Sequence, residues 1–273
     1  MSLTSVLQQS DVRAKFKQEF PKPNLVPSQE ILAPRLSTTP RLIGTAFDYL
    51  MRFHAKYVNP KAIEQEWIAE KSLRILTRSG LKRLYEQGYL TITQAKENYL
   101  DFLKTGQATE ALIQSALGLA KLDSMYRSGK IEENLQQLEE KDVEDLKNLI
   151  ALIEREKLKS AGVVVLNPTF GLASKLVGAA DGDLIVDDLL IEIKTFSKFE
   201  WERDDFNQLI GYYTLARIGS IDGAPPQHEI KRLGIYFSRH AYLHVIPVED
   251  VIDERLFSQF LLWFQERARS CGF

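Results

Sequence analysis

The sequence predicts an α/β protein in which helices flank a mixed central β-sheet and a large helical insertion precedes most of that sheet. Two observations favour this class. From residue 40 to about residue 159, apolar residues recur at spacings of three and four, which is typical of amphipathic helices. From residue 162 onward, short β-branched runs are separated by one helical pattern and followed by another, without the regular alternation of βαβ units.

The elements follow in order along the chain. Residues 1–39 predict an extended, irregular N-terminal arm, because four prolines lie between residues 21 and 34. The first helix is predicted to begin at Pro40, with Thr38 or Thr39 as its cap. Strands are expected in segments 163–168, 174–186, 189–195 and 232–248 (two strands in the last), and helices in 204–219 and 249–270. The acidic segment 130–147 favours a solvated helix face.

Composition limits the kinds of function. The 273 residues are 44% hydrophobic and 26% charged, as in ordinary globular proteins, and the formal charge of −2 gives no global basic excess. Any nucleic-acid contact would therefore need a local patch or bound metal ions. The single cysteine, Cys271, excludes a disulfide framework and suits a reducing compartment. The polar N-terminus and the lack of a run of roughly 20 apolar residues predict a cytoplasmic protein that does not associate with a membrane.

Segment 181–195, "DGDLIVDDLLIEIKT", carries acids and a lysine around two apolar runs. If residues 187 and 188 form a two-residue hairpin turn, Asp183 lies opposite Glu192 and Asp181 lies opposite Lys194. Because side chains alternate along a strand, these four share one face, and the apolar residues between them take the other.

Opposed carboxylates repel each other, and a divalent cation would offset that repulsion. Hard oxygen ligands suit Mg²⁺ or Mn²⁺, which activate water and stabilise charge on phosphate oxygens. A lysine beside such an ion would orient or deprotonate the water, or stabilise the phosphate. The spacing therefore points to phosphodiester hydrolysis. The alternative is a solvated sheet edge on which Lys194 only neutralises an acid.

This hairpin resembles the PD-(D/E)xK nuclease superfamily. The resemblance implies a restriction-endonuclease-like core in which Asp183 and Glu192 bind the metal ion and Lys194 assists the water. Gly182 stands where the family usually has proline, and Asp181 would be an outer-shell or alternative ligand.

Downstream, "QLIGYYTLA" resembles the Q-x-x-x-Y element of the RecB-like branch, with Gln208 and Tyr212 in its two positions. Four residues apart on a helix, the two side chains share a face. The resemblance implies that this pair arranges the active site and the nucleic acid. Asp204 or Asp205 would cap the helix.

Upstream, "IGTAFDYL" resembles the glycine-led helix that supplies an early metal ligand in this branch, and places Asp48 where the family usually has histidine. The alternatives are that Asp48 is an ordinary polar position and that Glu154 or Glu156 supplies the early acid. With Asp48 as ligand, residues 40–55 and 161–273 form the nuclease core, and residues 56–160 form the helical insertion.

The function implied is a Mg²⁺- or Mn²⁺-dependent nuclease that hydrolyses DNA, in defence or repair. The alternatives are a catalytically silent module of the same fold that binds nucleic acid or a protein, and a structural subunit of a larger complex. No GxxxxGK[ST] loop is present, so a helicase or other ATPase would be a separate partner. In the insertion, the basic residues of segment 71–83 would grip phosphates, and Tyr85 or Tyr89 would offer stacking surfaces.

Overall fold

A computed structural model describes residues 2–25, 28–132 and 134–270, so Cys271 lies outside the described residues. The first half of the described chain is mainly helical. Its elements are α1 (Leu3–Leu7), α2 (Ser10–Glu19), α3 (Pro40–Val58), β1 (Ile63–Glu64), α4 (Ile68–Arg78), α5 (Lys82–Thr105), α6 (Glu110–Ser128), α7 (Glu140–Ala151) and α8 (Arg155–Leu158).

The second half contains most of the sheet. Its elements are β2 (Val164–Leu166), α9 (Leu172–Leu176), β3 (Leu184–Val186), β4 (Leu189–Lys194), α10 (Arg203–Ile218), β5 (Arg232–Phe237), β6 (Tyr242–Pro247) and α11 (Glu254–Arg269). Short 3₁₀ turns, Ser238–His240 and Val248–Asp250, follow the last two strands. No helix in the described ranges is long and apolar enough to cross a membrane.

The six strands form one mixed sheet in the order β1-β2-β3-β4-β5-β6. The pairs β1–β2 and β4–β5 are parallel, and the other neighbours are antiparallel. The predicted α/β class with a mixed sheet is therefore confirmed. The first strand lies inside segment 56–160, which was expected to be helical, and adds a short edge to the sheet.

Both faces of the sheet are buried. The face with Leu184, Leu189 and Ile191 packs against α3 and the helices up to α7. The face with Ile185 and Leu190 packs against α1, α2, α10 and α11. Two hydrophobic cores thus lie on either side of the sheet, because alternate side chains of each strand enter opposite layers.

Three further expectations about the elements were wrong. Residues 1–39 are not irregular throughout, because α1 and α2 lie in this range and bury Val6 and Phe16 against the second core. The expected strand 174–186 begins only at Leu184, because its first residues belong to α9. The acidic segment is not only a solvated face, since Asp142 and Asp145 are buried.

The burial of Asp145 has a clear cause. Its carboxylate accepts hydrogen bonds from Nη1 of Arg239 at 2.7 Å and from Nη2 at 3.1 Å. Both side chains are fully buried. The backbone N–H groups of Leu36 and Ser37 donate to the same carboxylate, and Arg239 Nη1 also donates to the carbonyl of Ala33. One ion pair therefore joins the arm, the helical insertion and the β5–β6 connection.

Candidate active site

The β3–β4 hairpin has the predicted turn and register. Val186 pairs with Leu189 and Leu184 pairs with Ile191, which leaves Asp187 and Asp188 as the two turn residues. Asp187 has φ 52°, in the left-handed region that aspartate tolerates better than most residues. Its carboxylate accepts a hydrogen bond from the hydroxyl of Ser160 at 2.5 Å, which holds this turn residue in place.

Asp183 and Glu192 meet one residue beyond the last paired positions of the hairpin. Asp183 Oδ2 accepts a 2.7 Å hydrogen bond from the backbone N–H of Ile193, so its carboxylate turns toward the neighbouring strand. Glu192 is buried, with 4% of its surface exposed. The predicted cross-strand pair of carboxylates is therefore present at this end of the sheet.

Asp181 does not face Lys194 as expected. It forms an isolated bridge with Thr169, because the β3 ladder begins only at Leu184. Its carboxylate accepts a hydrogen bond from Nη2 of Arg127 at 2.7 Å. Arg127, at the end of α6, also contacts Asp123 at 2.5 Å. The helical insertion thus delivers a cation to the rim of the acidic site.

Lys194 lies on the same face as the two carboxylates. Its Nζ is 3.1 Å from Glu192 Oε1, 3.2 Å from Asp205 Oδ1 and 3.1 Å from Gln208 Oε1. Burial by itself would lower the pKa of Lys194, but the charges of Glu192 and Asp205 outweigh it and raise that pKa. The ammonium group is therefore a fixed positive charge within the acidic cluster.

Gln208 and Tyr212 lie one turn apart on α10, next to Lys194. The Gln208 amide accepts from the ammonium group and donates from Nε2 to Tyr212 Oη at 3.0 Å. Tyr212 is buried and stacks on Phe170 at a centroid distance of 5.8 Å. Burial raises its pKa well above the usual value, so the phenol stays neutral. The pair orients Lys194 from the helix side.

Asp205 reaches the same ammonium from the start of α10. Its Oδ2 accepts from the backbone N–H of Glu202, which is the N-cap of the helix, so neither Asp204 nor Asp205 is the cap itself. The Asp205 carboxylate thus stabilises the start of the helix and also forms an ion pair with Lys194. The sequence suggested only the first of these two roles.

Asp48 lies on α3 close to the hairpin acids. Burial raises its pKa most, and the negative charges of Asp183 and Glu192 raise it further, while Arg52 lowers it. Arg52, one turn later on the same helix, is buried and lies 4.3 Å from the centroid of the Tyr49 ring. Asp48, which the resemblance placed as the early metal ligand, therefore lies near enough to the hairpin for the charges of Asp183 and Glu192 to act on it.

The alternative acids, Glu154 and Glu156, are located elsewhere. Glu154 pairs with Lys157 and Glu156 with Lys159, and both carboxylates are largely exposed. Asp48 is consequently the early acid whose charge acts on Asp183 and Glu192.

The cluster holds more acid than base. Three bases, Arg52, Arg127 and Lys194, interact with six acids, namely Asp48, Asp123, Asp181, Asp183, Glu192 and Asp205. With every group ionised, three negative charges are left unbalanced. Arg127 and Asp123 were not predicted, because nothing local in α6 marks residues that meet a distant strand. Arg52 was detectable, since it follows Asp48 by four residues on one helix face.

The excess of negative charge affects the pKa of Glu192. Burial, and after it the charge of Asp183, raise the pKa of Glu192 to about 8 although Lys194 lies beside it. Its second carboxylate oxygen, Oε2, is buried without a hydrogen-bond partner among the described residues. An unpartnered buried carboxylate oxygen costs free energy unless a cation or a proton satisfies it.

These residues fit a hard divalent cation. They supply oxygen donors, an excess of negative charge and one buried acceptor with no partner. In the described part of the chain, no group of three or more His, Cys, Asp and Glu side chains is already arranged to hold a metal ion. Magnesium often uses only one or two carboxylates and keeps several waters, so a ready-made set of three is not required.

The raised pKa of Glu192 predicts how stability depends on pH. The folded state keeps a proton that the unfolded chain releases near pH 4.5, so this stabilisation is complete below pH 4.5 and is lost as pH rises through about 8. In EDTA, the free energy of unfolding of the wild type should therefore fall between pH 6 and pH 9 by on the order of a few kcal/mol. A Glu192→Gln variant should show a smaller fall in urea titrations. Equal falls in the two proteins would contradict the raised pKa.

A surface depression of about 1260 Å³ lies at the other end of β5. Its lining includes Tyr213, Arg217 and Glu254, which are joined by hydrogen bonds, and Arg232, which pairs with the first residue of β4. Lys194, by contrast, is the last residue of β4. We therefore place the candidate site at the carboxylates and not in this depression.

Comparison of the chain with protein-family models, with curated proteins and with solved structures finds no match in any of the three.

Proposed function

We propose that this chain is a metal-dependent nuclease that hydrolyses DNA phosphodiester bonds, built on a restriction-endonuclease-like core with residues 56–160 as a helical insertion. One observation carries the proposal. The Lys194 ammonium lies 3.1 Å from Glu192 on the face that Asp183 shares, and Gln208 holds it from the helix side. An acid pair with a positioned lysine, at the end of a buried hairpin, serves phosphodiester hydrolysis better than it serves stability.

Asp183, Glu192 and Asp48 would hold Mg²⁺ or Mn²⁺. A bound divalent cation supplies positive charge that acidifies water and neutralises charge developing on phosphate oxygens. Binding would also remove the cause of the raised pKa values of these acids, since the carboxylates would face a cation in place of one another.

The chain's own residues supply the remaining steps. Because the pKa of Lys194 is raised, its ammonium acts as a positive charge near the phosphate and not as a base that removes a proton from water. Gln208 and Tyr212 keep the ammonium aimed into the site, and the neutral Tyr212 hydroxyl adds no charge. Of the roles open to Lys194 from the sequence, charge stabilisation of the phosphate and orientation of the water are favoured.

The test is a cleavage assay with Mg²⁺ or Mn²⁺ on linear duplex, closed circular and single-stranded DNA. Wild type should cleave at least one substrate only when the metal is present, and Asp183→Asn should fall below about 1% of that rate. Asp188→Asn is the matched control, because Asp188 lies in the same hairpin but pairs with the exposed Arg232 outside the cluster.

Cleavage that survives in Asp183→Asn would place the activity elsewhere. DNA binding without cleavage under any metal would favour the silent module of the same fold. The comparison of circular with linear DNA separates an endonuclease from an exonuclease.

A further inference from the structure

The segment from α4 into the first half of α5 carries a concentrated positive charge on a chain of net negative charge. Between Lys71 and Gln94 there are five basic residues and one acid, Glu86, while the whole chain has a formal charge of −2. Arg74 is paired with Glu66. A group of three others is exposed and has no ion-pair partner among the residues that the structure describes: Arg78, Lys82 and Arg83.

Two tyrosines follow Lys82 and Arg83 on α5. Tyr85 and Tyr89 stack on each other at a centroid distance of 6.4 Å and an interplanar angle of 21°, yet 37% and 54% of their surfaces are exposed. Lys82 shares their face of α5, since the three residues follow helical spacings of three and four. Exposed parallel rings that share a helix face with an unpaired lysine are a surface on which nucleobases stack while phosphates are neutralised.

The surface formed by these cations and tyrosines lies on the same side of the helical insertion as Arg127, which contacts the candidate active site. α5 and α6 run antiparallel, because Gly88 lies against Leu122 and Thr91 against Gly118. The start of α5 is therefore next to the end of α6. There, Arg127 binds Asp181 at the rim of the acidic cluster.

We propose that Arg78, Lys82, Arg83, Tyr85 and Tyr89 form a platform that binds single-stranded nucleic acid and leads the strand toward the acidic cluster. A single strand is favoured over a duplex because the rings need unpaired bases with free faces. That the strand is led toward the acidic cluster rests on the proposed nuclease function. Binding of the strand at the platform does not require cleavage.

The test measures the fluorescence anisotropy of a labelled single-stranded thymidine oligonucleotide, about 20 nucleotides long, in EDTA. Tyr85→Leu/Tyr89→Leu keeps apolar side chains but removes the rings, and should raise the Kd at least about tenfold. Lys82→Gln/Arg83→Gln should weaken binding and reduce the slope of log K against log salt by about 1.4, or about 0.7 for each lost phosphate contact. Lys17→Gln/Lys141→Gln is the charge-matched control, with exposed lysines on α2 and α7, and should bind as wild type does.

Hydrolysis of bis(p-nitrophenyl) phosphate separates this proposal from the proposed function, since that small diester has a single phosphate and no nucleobases and so does not need the platform to bind. The platform variants should hydrolyse it at the wild-type rate. If the wild type hydrolyses nothing but the platform variants still lose binding, the platform stands and the nuclease proposal fails. If the wild type does not bind the oligonucleotide, or if both platform variants bind it as the control does, the platform proposal is overturned. Equal losses on a duplex of the same length would overturn its preference for single strands.

Discussion

Replacing Lys194 with methionine is expected to lower the rate of metal-dependent DNA hydrolysis by about 10²-fold or more. Methionine keeps the length and much of the apolar stem but removes the charge that would stabilise the phosphate. Metal binding should persist or tighten, because the site becomes more negative. Cleavage rates under single-turnover conditions and calorimetric titration with Mn²⁺ would measure the two effects separately.

The same variant should unfold more easily without metal. Lys194 contacts Glu192, Asp205 and Gln208, so its loss leaves buried polar groups unpaired at a cost of about 1–3 kcal/mol. Lys198→Met is the matched control, since Lys198 lies on the following loop with 83% of its side chain exposed. A folded Lys194→Met protein that binds Mn²⁺ and cleaves at the wild-type rate would exclude the catalytic role.

Replacing Arg239 with methionine is expected to give the largest loss of stability, about 3–5 kcal/mol, because it leaves the fully buried Asp145 carboxylate without its counter-ion. The backbone N–H groups of Leu36 and Ser37 would still donate to Asp145 but would not neutralise it. Urea unfolding followed by circular dichroism would measure the change.

Two controls isolate the ion pair. Arg255→Met removes an exposed arginine that pairs with Asp253, and should leave stability close to that of the wild type, because water screens the pair. The double variant Arg239→Met/Asp145→Asn should recover much of the loss, because no unpaired charge is left buried and the amide oxygen still accepts from the backbone N–H groups of Leu36 and Ser37. A loss in Arg239→Met no larger than that in Arg255→Met would show that the buried pair does not join the arm, the insertion and the sheet.

The hairpin was predictable because its determinants are local. Two aspartates suited to a tight turn and alternation with a period of two fix which residues face each other, and Asp183, Glu192 and Lys194 follow from that register. Gln208 and Tyr212 were predictable for a similar reason, since a spacing of four on a helix fixes a shared face. Long segments of helical periodicity were equally clear in the insertion.

Other parts of the site depend on contacts between distant segments. Arg239 and Asp145 are 94 residues apart, and an acidic helix that buries two carboxylates has the same composition as one that is solvated. Arg127 reaches Asp181 only because α6 ends beside the sheet, which no local pattern reveals. The helix α1 has only five residues and α2 is mostly polar, so their burial against the second core left little periodicity to detect.

We propose that Asp183 and Glu192, with Asp48, form a divalent metal site, and that the bound ion relieves the repulsion between their charges. Calorimetric titration of the metal-free protein with Mn²⁺ would detect this site, using wild type, the double variant Asp183→Asn/Glu192→Gln and the control Asp188→Asn. We expect saturable binding in wild type and in the control, and none in the double variant, which should nevertheless be folded. Unchanged Mn²⁺ affinity in the folded double variant would contradict the claim and place the metal elsewhere.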